Sequence, residues 1–141
     1  MVVDGDGVPS DAERGKVMEF ALLIYEKEGK PLKGAPTPAQ AKQFQEIGAA
    51  YGAYTAGIVK SGNFVAGEGL QHSATGWKVR VRNGKTTTTK GAADKKRSAQ
   101  LTGYYVVEAK DAAHAAKLAA GIPGAKTGSI EVRGVIPPPT S

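Results

Sequence analysis

The run Val17 to Tyr25 (Val-Met-Glu-Phe-Ala-Leu-Leu-Ile-Tyr) is apolar on both faces of an extended segment. Phe20, Leu22 and Ile24 fall on one side, Ala21, Leu23 and Tyr25 on the other. Such a pattern belongs to a strand covered above and below, because each exposed apolar face would cost its transfer free energy. The chain must therefore supply or borrow cover for both faces of a sheet.

The elements available to supply it can be read in order. Thr37-Pro38-Ala39-Gln40 offers a capping hydroxyl, a proline at the first helical position and a glutamine three residues after the cap. A helix follows, with Phe44, Ile47, Tyr51, Tyr54 and Ile58 as its apolar stripe and Gly62 as its left-handed stop. Phe64 to Ala66 returns as a short strand. Lys78 to Thr89 alternates around Asn83-Gly84, the pair suited to a hairpin turn with positive φ at both residues. Gly103 to Ala109 is another strand, Asp111 caps a second helix with Ala115, Leu118, Ala119 and Ile122 inward, and Ser129 to Val135 is the last strand. Residues 1–16 read as a flexible acidic leader, 17–135 as the domain and 136–141 as a proline-rich tail that cannot join a sheet.

This order of strand, helix, strand, hairpin, strand, helix, strand holds two strand-helix-strand units, the α+β ferredoxin-like plan. At 141 residues the chain affords one core, and its two helices can cover only one face. A like sheet from a second copy is the simplest cover for the other, so a homodimer is expected.

Several blocks resemble the YCII-related family, in its DGPF-motif branch: Met18 to Tyr25, Val65 to Thr75, Val79 to Lys85, Gln100 to Tyr105, and Ile122-Pro123 with Gly128 to Arg133. The resemblance implies a dimeric α/β barrel and a small-molecule cleft. It implies dehydrochlorinase-like chemistry for some members and no assigned chemistry for many others. Where that branch carries Asp-Gly-Pro-Phe, this chain has Lys90-Gly91-Ala92-Ala93, and any role of the aspartate is lost. The histidine that some members place on the first helix is also missing from residues 38–61.

Composition narrows the chemistry further. No cysteine is present, so disulfides, thiolate metal sites and cysteine nucleophiles are excluded, and a reducing cytoplasm fits. No stretch reaches the roughly 20 apolar residues of a membrane span. The formal net charge is +6, and four acids against two bases in the first sixteen residues leave +8 on the remainder. That surplus favours an anionic partner, but without an RNA- or DNA-binding signature nucleic-acid binding is the weakest reading. No metal-ligand spacing and no phosphate loop leading into a helix occurs, and no cofactor is implied.

His72, in the polar stretch after Gly69, is the proton carrier in the matched blocks, since an unperturbed imidazole titrates at about 6.5. Glu68 and Ser73 are its expected polar company, with Glu68 orienting or charging the ring and Ser73 contacting substrate. Arg80, on one face of a strand with Lys78 and Arg82, is the expected anion contact. The plainer readings are a surface loop histidine, a glutamate bonding amides in a glycine-rich turn, and an edge hairpin kept soluble by charge. His114 is expected to be local to its helix. Two main classes stay open: a cofactor-independent lyase or isomerase acting on a small anionic or aromatic metabolite, and a ligand-binding or accessory protein that kept the fold without the chemistry.

Overall fold

The computed structural model describes residues 17–139. The expected leader and the last two residues of the expected tail lie outside the described residues. Strand β1 spans Met18–Glu26. Helix α1, Pro38–Lys60, begins at the expected box: the Thr37 hydroxyl accepts from the Gln40 amide at 3.2 Å and the Gln40 side chain accepts from the Thr37 amide at 2.8 Å. Gly62, just past its end, has φ +80, where a Cβ would be strained. Strand β2, Phe64–Gly69, is three residues longer than its sequence pattern suggested.

The hairpin consists of β3, Trp77–Arg82, and β4, Lys85–Lys90. Asn83 and Gly84 turn it with φ of 53 and 75, the positive pair that matches the twist of two antiparallel strands. It forms its own two-stranded ribbon, separate from the main sheet. Strand β5, Gln100–Ala109, helix α2, Ala112–Ala120, and strand β6, Ser129–Gly134, complete the order. The Asp111 side chain caps α2 by accepting from the His114 amide at 2.8 Å, and His114 Nδ1 accepts from the Lys110 amide, so both of its bonds are local.

The main sheet runs β2-β5-β1-β6 with antiparallel neighbours throughout, an arrangement compatible with the ferredoxin-like plan. Its covered face carries Phe20, Leu22, Ile24, Tyr105 and Val107, all buried, and they meet Ile58, Ala115, Ala119 and Ile122 from the helix side. Leu22 and Val107 are fully shielded from solvent. On the other face Ala21, Leu23, Tyr25, Tyr104 and Val106 are half-buried. One chain makes an open sheet with β2 and β6 at its edges, not a closed barrel.

The apolar stripe of α1 divides in a way its spacing does not show. Ile58 is buried and Tyr51 and Tyr54 pack against the core, but Phe44 and Ile47 are each 47% exposed. At about 1.5 Å per residue a helix of this length is roughly 34 Å long, and its first half stands off the sheet. Ile47, Tyr51 and Thr55 thus line a cavity between helix and sheet.

Candidate functional site

Beyond β1 the chain continues as Lys27-Glu28-Gly29, and beyond β2 it turns through Gln71 to Thr75, where Ser73–Thr75 is one 3₁₀ turn. Leu70 begins this turn by donating its amide to the Thr102 carbonyl of β5, which brings the turn beside the end of β1. The two segments are then stitched together. The Ser73 amide donates to Glu28 Oε2 at 2.9 Å and the Ser73 hydroxyl donates to Oε1. His72 Nε2–H donates to the Gly29 carbonyl at 2.7 Å, and its Nδ1 accepts from the Ala74 amide at 3.1 Å. These partners select the neutral ring with its proton on Nε2. Glu28 Oε1 lies 3.8 Å from that same nitrogen.

His72, Ser73 and Glu28 form one wall of a cavity of about 470 Å³. Its lining also holds three cations, Lys90, Lys95 and Arg97. Lys90 Nζ sits 4.9 Å above the Trp77 ring, and the Arg97 guanidinium 4.6 Å above Tyr25, so aromatic faces hold both cations in place. Lys90 opens the segment Lys90-Gly91-Ala92-Ala93. Gly91 is buried with φ +112, donates to the Gly76 carbonyl at 2.8 Å, and would set any Cβ 2.6 Å from Lys95 Cε. Only glycine lets the backbone turn there while Lys95 packs across it. A second cavity of about 550 Å³ adjoins the other side of the turn, sharing His72, Ser73 and Arg97 and reaching Tyr25 and Trp77.

The four residues expected from sequence are not gathered into one place. His72 and Ser73 share the cationic cavity. Glu68 is exposed on β2 and lines the separate cavity under α1. Arg80 is exposed on β3 and lines none of the cavities described here. Among the described residues the carboxylate against His72 is that of Glu28, which sequence reasoning missed. Its only cue was the polar run Glu26-Lys27-Glu28 ending an apolar strand, which reads as solvated turn. Lys95 and Arg97 were visible as a basic loop, but nothing in their spacing aims them at His72.

The cavity under α1, about 450 Å³, is different in character. Its walls are mainly apolar, with the carboxylates of Glu26 and the exposed Glu68 and the hydroxyls of Tyr51, Thr55 and Thr102 as polar points. Tyr51 donates to Glu26 Oε1 at 3.3 Å and accepts from the Gly124 amide at 3.1 Å. Burial, with the neighbouring Glu26 charge second, pushes the Tyr51 hydroxyl up to about 12. Burial and then the Tyr105 neighbour push Tyr54, which donates to the Leu118 carbonyl, up to about 12 as well.

Among the described residues no helix is long and apolar enough to cross a membrane. The family model of the YCII-related domain matches residues 18–138, which takes in every strand and helix described above. No curated protein matches the chain.

Proposed function

We propose that this chain, which belongs to the YCII-related domain family, binds a small anionic metabolite in the cationic cavity beside His72 and works on it by proton transfer. The observation that carries the reading is that Lys90, Lys95 and Arg97 line the same cavity as His72, Ser73 and Glu28. Three cations against one carboxylate leave an unbalanced positive site, and a carboxylate or phosphate group would balance it. The lysine in place of the DGPF-branch aspartate adds to that charge, so the departure from the motif favours anion binding. His72 brings the imidazole to that cavity, and Glu28 Oε1, 3.8 Å from its Nε2, is placed to steady a charge the ring would gain. Elimination or isomerisation without a cofactor is the reaction class that such a pair serves.

One observation favours the second reading, ligand binding without catalysis. Both His72 ring nitrogens are engaged, and protonating Nδ1 would turn it from an acceptor into a donor facing the Ala74 amide. Catalysis therefore requires the ligand to displace one of these bonds. Calorimetric titration with benzoate and with inorganic phosphate tests the shared first step. Saturable binding that Arg97→Gln weakens about tenfold, a loss of about 1.4 kcal/mol, is expected. No saturable binding of either anion would sink the proposal.

The same reading includes a homodimer in which each copy covers the outer sheet face of the other. That face holds half-buried Leu23, Tyr25, Tyr104 and Val106, and carries Glu19, Glu68, Glu108 and Glu131 by its register. The hairpin offers the complement, with Lys78, Arg80 and Arg82 on one side of β3 and exposed Trp77, Val79 and Val81 on the other. Opposite charge and apolar surface on the same chain suit a second copy, and Arg80 then serves the interface in place of the metabolite.

A further inference from the structure

The cavity under α1 holds a half-buried carboxylate that is poorly served by its own fold. Glu26 Oε1 accepts from Tyr51 and from Thr102, each at 3.3 Å, and Oε2 accepts from Thr127 at 3.4 Å. All three are far longer than the 2.7–2.8 Å typical of hydroxyl donors, so each is weak. Among the described residues no lysine, arginine or histidine forms a salt bridge with Glu26. A carboxylate drawn out of water without a counter-charge has an unmet demand for a strong donor. Tyr51 keeps its proton to about pH 12 and so remains a donor, but its oxygen is also tied to the Gly124 amide and its bond to Glu26 stays long.

The space beside this carboxylate is apolar. Ile24, Ile47, Phe64 and the Tyr105 ring line it, and the Tyr105 hydroxyl donates to that of Thr55 at 2.7 Å while Thr55 donates to the Tyr51 carbonyl at 2.8 Å. Neither hydroxyl has a proton left to offer a ligand. From this geometry we infer a second ligand site under α1, selective for a small aromatic or branched aliphatic amine whose ammonium group binds Glu26 and whose hydrocarbon fills the cavity. The charge is the reverse of the His72 cavity, so the two sites take different molecules. Ile47, at 47% exposure, stands at the lip where such a ligand would enter.

The test is a titration of the full chain with 2-phenylethylamine, followed by amide resonances, with 2-phenylethanol and 3-phenylpropionate as neutral and anionic counterparts. Saturable shifts at Ile47, Tyr51, Thr55 and Thr102 are expected with the amine. The alcohol should bind at least fivefold more weakly, and the acid should give no saturable shift at these four residues. Glu26→Gln keeps the shape and removes the charge, and should weaken the amine about tenfold or more. Ile47→Trp, a change at an exposed position that leaves the carboxylate intact, should also block binding, so the inference does not depend on one variant folding. Absence of saturable shifts at these residues overturns it. So does equal amine affinity in the wild-type and a folded Glu26→Gln chain, or undiminished binding in Ile47→Trp should Glu26→Gln fail to fold.

Discussion

Glu28 holds Ser73 by two bonds at once, taking the backbone amide on one carboxylate oxygen and the side-chain hydroxyl on the other. Because His72 precedes Ser73 and is itself bonded to Gly29, this clamp places the imidazole at the cavity wall. The position of the ring is therefore set from the segment just beyond β1, a part of the chain remote in sequence.

Glu28→Ala should remove the clamp and leave a half-buried amide and hydroxyl without their partner. A loss of about 1–3 kcal/mol in urea-monitored stability is expected, since each unsatisfied group costs on that order. The His72 resonances should broaden or split as the turn loosens. Unchanged stability with an unchanged imidazole spectrum would show that the clamp does not hold the ring.

His72→Ala should separate the two functional readings. If His72 is the proton carrier, turnover in a screen for loss of carbon-bound hydrogen to D₂O falls by roughly 10²-fold or more. Benzoate affinity should change far less, because the cations remain. Equal turnover in the variant would move the assignment to binding without catalysis.

Stability should fall as the pH rises from 10 to 12. Tyr51 and Tyr54 keep their protons in the folded chain to about 12, against 10.0 for an ordinary tyrosine. Between those values the unfolded chain has released protons that the folded chain still holds, so each pH step favours unfolding. Their contribution is fully present below pH 10 and is lost as the pH passes the folded values. Absorbance titration should show two of the five tyrosines ionising late, and Tyr54→Phe should reduce the alkaline loss. Five tyrosines titrating together near 10 would contradict this.

Leu23→Asp should produce a monomer if the outer sheet face is covered by a second copy. Leu23 lies opposite Tyr104 on one neighbour and Glu131 on the other, at the middle of that face. A carboxylate there would be drawn out of water in the apolar middle of the patch that the second copy buries, with no partner to compensate it. Sedimentation should show a dimer for the parent chain at micromolar concentration and half that mass for the variant. A parent chain that sediments as a monomer rules out the pairing.

The elements of this fold were written in short-range signals. The Thr37–Gln40 box, the Asn83-Gly84 turn and the Asp111 cap involve partners within four residues, so the identities of the residues suffice to place them. The alternation in β1 likewise announced a sheet with two apolar faces. By itself the sequence determined the order of strands and helices, and it picked out His72 and Ser73 as polar company in one turn. Only the tertiary structure decided what stands opposite them. Glu28 replaced Glu68 as the carboxylate against His72 because the turn after β2 is bonded to β5 and so lies beside the end of β1, a pairing with no trace in local spacing. The division of the α1 stripe had the same origin, since periodicity reports which residues share a face and not where the sheet beneath them ends. Contacts across the sheet depend on register and on how far each helix seats, and these are settled by the packing of the whole core, not by any one segment.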